Sequence, residues 1–298
     1  MLKENKFDFS VVIPAKNSEK TIERCIKCVL NQNYPKNKYE LILVDNNSSD
    51  RTLSLVKHLP VKFLFNEKPG AGATRNLGVK KAKGKIIAFI DSDRFAEKNW
   101  LKEAKIFFER NKKVNIVAGK IVLDKYSLIK KAVFMAKMDQ EFFVTNGFAA
   151  TCNMFIKKET FNKLGGFDER LFITNEDLEF GERATALGEE ITLLEKAVVR
   201  YNPRTLWNYF KNEFRRGRAI SHLIFLKKKG LNYGSPKAHK TFNLLKTVLF
   251  HRKHNFFELL FFLIINGAGK LICIFGKLFE DCCLLPGYRK KELGFDVS

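Results

Sequence analysis

Two carboxylates one residue apart, Asp91 and Asp93, close the run KIIAFIDSD. Side chains at i and i+2 of an extended segment point to the same side, so both acids are expected to converge on one hard divalent cation. Manganese or magnesium suits such a pair, because each is held by a few carboxylates plus substrate phosphate oxygens rather than by an all-protein cage. A D-x-D also arises in solvated acidic loops; the apolar strand before this one strengthens the metal reading. GAGATRN, residues 70–76, follows a glycine-rich turn. Its glycines let the backbone approach a ligand, and Arg75 can fork onto a base carbonyl or a phosphate oxygen; taken alone, the segment is a helix start with a solvated arginine. Pro14, Ala15 and Asn17 make a strand-to-helix turn whose free backbone N–H groups could meet a nucleotide.

The elements that position these residues follow from the apolar pattern. FSVVIPA (9–15), ELILVD (40–45), VKFLF (61–65) and KIIAFID (85–91) are continuous β-branched runs bounded by turn residues, which predicts buried strands. Between them Ser18 to Leu30, Ser49 to His58 and Ala73 to Ala82 carry helical spacing. Strand and helix in alternation predict an α/β fold with a mostly parallel sheet and right-handed crossovers. Ligands of such sheets bind outside the carboxyl ends of the strands, where Pro14 to Asn17, Asp45 and Asp91 to Asp93 all fall. Further on, FAATCNMFI (148–156) predicts a strand lining a cleft, with Thr151, Cys152 and Asn153 equally readable as packing residues, and FRRGRAISH (214–222) places Arg215, Arg216 and Arg218 in a helical stretch after Trp207.

The 298 residues, 45% of them hydrophobic, can bury a full core. Fifty-four lysines and arginines against 32 acids leave a charge of +22, which calls for an anionic partner: nucleotide, nucleic acid or phospholipid. Residues 200–298 hold 19 of the basic side chains and 6 of the acidic ones, so the excess is concentrated there. Six cysteines are too few for a disulfide framework in a chain this long, and Cys25 and Cys28 in TIERCIKCVL read as helix packing rather than as a metal or redox pair. FSVVIPA is too short for a signal peptide, so the N-terminal portion is expected to stay in the cytosol.

The segments VVIPAKN, LILVDNNSSD, GAGATRNLGVKKAKGKIIAFIDSD, GGFDE and NEDLEFGERA, in this order, resemble those of family 2 glycosyltransferases with the GT-A fold, over about residues 9–200. The resemblance implies transfer of a sugar from a nucleotide diphosphate sugar, commonly a UDP sugar, with inversion. It implies that Asp45 reads the nucleotide base, that Arg75 contacts the nucleotide, that Asp91 serves the ribose and metal region, and that Asp93 holds the cation bridging the diphosphate. Lys16 stands where the family often carries an aromatic residue. Inverting displacement needs one general base, and Asp177 is the candidate, opening a helix whose dipole is expected to keep it ionised. Glu176 beside it is expected to orient the site or contact the acceptor. Arg215 and Arg216 fall where relatives approach the diphosphate, although a solvated basic face is an equal reading. The Arg-Trp pair of processive synthases is missing, which favours addition of single sugars.

Residues 241–285 lie outside the resemblance. FFELLFFLIINGAGKLICIFGKLF is apolar, but Lys270 and Lys277 interrupt it, so a helix or helical hairpin lying in the membrane interface is expected rather than a span. The flanking HRKH and YRKK would attract an anionic membrane surface. A homodimer interface, or helices packed on the catalytic part, is the competing reading. The chain is thus expected to divide into a catalytic domain, 1–230, and a helical extension, 231–298, and to act peripherally at the cytoplasmic, inner face of the cell membrane on a glycan or lipid-linked acceptor. A nucleotidyltransferase of similar fold is the runner-up. A nucleic-acid-binding protein is disfavoured, since no zinc-finger spacing, RNP-type aromatic motif or helix-turn-helix is visible.

Overall fold

The computed structural model describes residues 7–125, 127, 130–131, 140–203, 205–228 and 256–283. The strands are β1 (Phe9–Ala15), β2 (Tyr39–Asp45), β3 (Lys62–Phe65), β4 (Ile86–Ile90), β5 (Arg94–Ala96), β6 (Ile116–Leu123), β7 (Asn153–Lys157) and β8 (Ile191–Tyr201). They form one sheet in the order β3-β2-β1-β4-β7-β6-β8-β5. Only β7 and β5 run against the common direction, as their antiparallel pairings require. The carboxyl ends of the other six therefore share one edge, with Ala15, Asp45 and Phe65 in register along it.

The helices are α1 (Ile22–Leu30), α2 (Thr52–Val56), α3 (Ala71–Lys81), α4 (Trp100–Arg110), α5 (Gln140–Thr145), α6 (Lys158–Lys163), α7 (Glu176–Ala186), α8 (Leu206–Lys228) and α9 (Phe256–Cys283). Alternate strand residues face opposite sides. Val11 and Ile13 of β1 pack with Ile22 and Ile26 of α1 and Trp100 of α4. Val12 faces the other way, into a core with Val79 of α3, Phe161 of α6 and Phe180 of α7. Each such fully buried side chain stabilises the fold by roughly 1.5–3 kcal/mol. Cys25 lies in the first of these cores, a packing residue of α1 as its spacing predicts.

Three elements depart from expectation. VKFLF is not a buried strand: β3 is the sheet's edge, and Phe65 is 66% exposed. β4 stops at Ile90 instead of running through Asp91, because the Arg94 N–H donates to the Asp91 carbonyl (2.9 Å) and closes a turn. The strand expected over 148–156 begins only at Asn153, which proves to be a packing residue. Its buried side-chain amide donates to the Lys120 and Ala197 carbonyls (2.9 and 3.0 Å), beside the register shift between Gly119 and Lys120, and accepts from Trp100 Nε1 (2.8 Å). A side chain at Gly119 would overlap that amide.

Helices α8 and α9 pack tightly along one another. A Cβ at Gly217 would strike the Cys273 carbonyl, and Gly269 lies under Tyr209. Arg218 Nε donates to Glu280 Oε2 at 2.8 Å, with both residues buried. The opposite side of α9 leaves Ile264, Leu271, Ile274, Phe275 and Leu278 each more than half exposed. Among the described residues, no helix is long and apolar enough to cross a membrane. HRKH, YRKK and the boundary at residue 230 lie outside the described residues.

Candidate active site

The turn after β1 and the loop after β2 are laced together at the carboxyl edge. The N–H groups of Asn17, Ser18 and Glu19 donate to Ser48 Oγ (3.0 Å), Thr52 Oγ1 (2.7 Å) and Asp50 Oδ2 (3.0 Å). These groups are therefore not free for a ligand, contrary to expectation: side chains of the second loop satisfy them first. Asn17, in the left-handed region at φ 49°, accepts in return from the Ser49 N–H (2.9 Å). Pro14 and Ala15 complete β1 just before this turn. Asp45 is buried, and its carboxylate accepts from the Ser48 N–H (2.9 Å) and Oγ (2.5 Å), the local turn bonding its Asn- and Ser-rich setting favours. A carboxylate has about four lone-pair sites, so these two bonds leave it capacity to accept from a base.

The charged centre is built across the chain. Arg75, only 3% exposed on α3, donates from one guanidinium nitrogen to Glu176 Oε1 and from the other to Asp91 Oδ1, both at 2.7 Å. Its fork thus joins the end of β4 to the start of α7. The two carboxylates hold the guanidinium's pKa above its ordinary value against the opposing effect of burial, which is the largest single influence. Asp93 is held in the same manner: Arg94 donates to its Oδ1 at 2.5 Å. The sequence reading missed Arg94, although DSDR places a cation directly after the acidic pair.

Because 91–93 is a turn, the extended-strand geometry expected of the D-x-D does not apply. The chemistry of the donor set nevertheless fits a hard cation. Each carboxylate gives one oxygen to an arginine, and their side chains are 31% and 25% exposed, leaving the other oxygen available. Among the described residues no group of three or more His, Cys, Asp or Glu could hold a metal alone, so further positions would fall to phosphate oxygens and water.

Asp177 sits in the first turn of α7, after Asn175 in the left-handed region at φ 75°. The helix dipole does not dominate here. Burial, and next the Glu176 carboxylate, push the Asp177 carboxyl up to about 7, against the pull of Arg75 and of the Leu178 N–H. The segment leading to it is clamped to α3: Asn76 accepts from the Phe167 N–H (2.9 Å) and donates to the Phe167 carbonyl (2.8 Å). Gly165 and Gly166, at φ 79° and 74°, make the bend that brings Phe167 there. Helix α8 covers the same segment. Arg215 reaches the Ile173 carbonyl (3.4 Å) and feels the charge of Glu176, whereas Arg216 acts on Tyr209.

Residues 10–165, more than half of the chain, match the family described as Glycosyl transferase family 2. The glycosyltransferase AglE of Haloferax volcanii is 27% identical over 224 residues, 70% of this chain and 71% of that protein. The poly(ribitol-phosphate) beta-N-acetylglucosaminyltransferase TarS of Staphylococcus aureus is 36% identical over 109 residues, 35% of this chain but 19% of that longer protein. The solved structure of TarS 1–349 in complex with UDP-GlcNAc has a TM-score of 0.56 at 18% identity, covering 95% of this chain and 93% of that one. The mannosyltransferase PcManGT of Pyrobaculum calidifontis, solved with GDP-Man and Mn2+, has a TM-score of 0.56 at 19% identity, covering 90% and 73%. The chain belongs to glycosyl transferase family 2: it is a glycosyltransferase, with the GT-A fold.

Proposed function

We propose that the protein transfers a sugar, with inversion, from a UDP sugar to a glycan or lipid-linked acceptor at the cytosolic face of a membrane. The observation that carries this reading is the Arg75 fork, which fixes the acidic turn after β4 against the helix bearing Asp177. Donor-side and base-side groups thereby become one rigid unit. Asp45 would receive the nucleoside at the carboxyl edge that Pro14, Ala15 and Asn17 shape, and Asp91 the ribose side. Asp91 and Asp93 would hold manganese or magnesium, which when bound stabilises negative charge on the leaving diphosphate. Arg215, over the Ile173 carbonyl, is better placed than Arg216 to add a cation on that side. Asp177 would take the proton of the attacking acceptor hydroxyl, and a carboxyl poised near neutrality suits that role.

Support for a membrane surface comes from the exposed apolar face of α9 and from the basic excess of the last hundred residues. TarS, similar over 109 residues, is named for action on a poly(ribitol-phosphate), which supports an envelope polymer as acceptor. A thermal-shift panel of nucleotide sugars, with and without manganese, tests the donor. UDP sugars should raise the Tm far more with the metal than without it, by mass action on the folded state; a shift with a nucleoside triphosphate and none with any UDP sugar would point to nucleotidyl transfer.

A further inference from the structure

Arg94 is a buried cation set directly behind a carboxylate assigned to the metal. It is 4% exposed, stands opposite Tyr201 in the β5–β8 register, and lies 3.6 Å from that ring's centroid. The turn does not need its side chain, since its own backbone N–H already closes it. The guanidinium instead neutralises Asp93, as Arg75 does Asp91. Arg75 is shared with Glu176, so Asp91, Asp93 and Glu176 face two guanidiniums; Asp177 and Arg215 add one more acid and one more arginine beside Glu176, so the cluster carries no more than one net negative charge. Like charges a few ångströms apart repel strongly where water is scarce, so the arginines oppose entry of a bare divalent cation. Among the described residues, no third His, Cys, Asp or Glu joins Asp91 and Asp93 in a group that could hold a metal.

Resting on the donor reading above, we infer that Arg94 makes cation binding conditional on the nucleotide. The protein half of the site is too nearly neutral to retain manganese, and the diphosphate supplies the missing negative charge. Coupling of this kind is reciprocal: the nucleotide raises manganese affinity by the same factor as manganese raises nucleotide affinity. Arg94 is in this sense a positioning and charge-setting residue, acting through Asp93 and not on the sugar.

Electron paramagnetic resonance titration of free manganese, with and without UDP, tests this on the full chain and on Arg94→Gln and Arg94→Lys. The wild type should bind manganese at least about tenfold more tightly with UDP than without. Arg94→Gln should bind manganese alone roughly tenfold or more tightly than the wild type does, with reduced coupling to UDP. Arg94→Lys keeps the charge and should keep the wild-type coupling, although it loses the flat stack on Tyr201; a merely structural role would damage both variants alike. If Arg94→Gln fails to fold, Lys decides: manganese bound as tightly without UDP as with it by a folded Arg94→Lys would overturn the inference. Unchanged or weaker manganese binding by folded Arg94→Gln, with wild-type coupling present, would overturn it while leaving the donor reading intact. No manganese-dependent UDP binding by the wild type would remove the donor reading, and this inference with it.

Discussion

Replacing Asp177 by Asn keeps the shape of the side chain and removes its ability to take a proton. Turnover should fall by roughly 10²–10⁴, the usual contribution of a positioned base, while UDP affinity stays within about a few-fold of wild type. Near-normal transfer by this variant would move the base elsewhere, Glu176 first. With its carboxyl pushed up to about 7, kcat/KM of the wild type should fall on the acid side of neutrality, where the base is protonated. The same shift bears on stability. A carboxyl raised in the folded state favours folding fully below its unfolded pKa of about 3.9, and loses that contribution as pH rises through about 7. The Tm of Asp177→Asn relative to wild type should therefore climb between about pH 4 and pH 7 and then level off; a constant difference would mean that Asp177 titrates normally.

Asn76 sets the relation of α3 to the GGFDE segment through two hydrogen bonds to one residue's backbone. Asn76→Ala should cost about 1–3 kcal/mol in chemical denaturation, because partly buried backbone groups lose their partner. It should also lower turnover by loosening the approach to α7. The elements themselves could be read in the sequence, β1, β2 and β4 from continuous β-branched runs and α7 from its acidic first turn. Their couplings could not. Arg75 and Glu176 are 101 positions apart, and no periodicity reveals that a helical arginine will meet both a strand end and a distant helix. The i, i+2 reading of Asp91 and Asp93 presumed a strand that continues, whereas the turn at Asp91 depends on a hydrogen bond that composition does not show. VKFLF reads as buried because its residues are apolar, but an edge place in the strand order is a property of the whole sheet. Arg94 escaped because stacking on Tyr201 requires the β5–β8 pairing.

Across the whole molecule, the apolar face of α9 and the charge of +22 lead to one expectation. Leu271→Glu with Phe275→Glu should abolish sedimentation with anionic liposomes while leaving the Tm nearly unchanged, since both side chains are more than half exposed. Binding by the wild type should weaken as salt screens the basic surface. If the wild type ignores such liposomes and the double variant turns a dimer into a monomer, the face is an interface between copies. The central claim, that the acidic turn serves a metal-bound nucleotide, is tested most directly by isothermal titration of UDP into the full chain, with and without manganese, in wild type and Asp93→Ala. We predict that manganese tightens UDP binding in the wild type and that Asp93→Ala loses this gain while keeping the weak metal-free affinity. Equal affinity with and without manganese in the wild type, or an undiminished gain in Asp93→Ala, would contradict it.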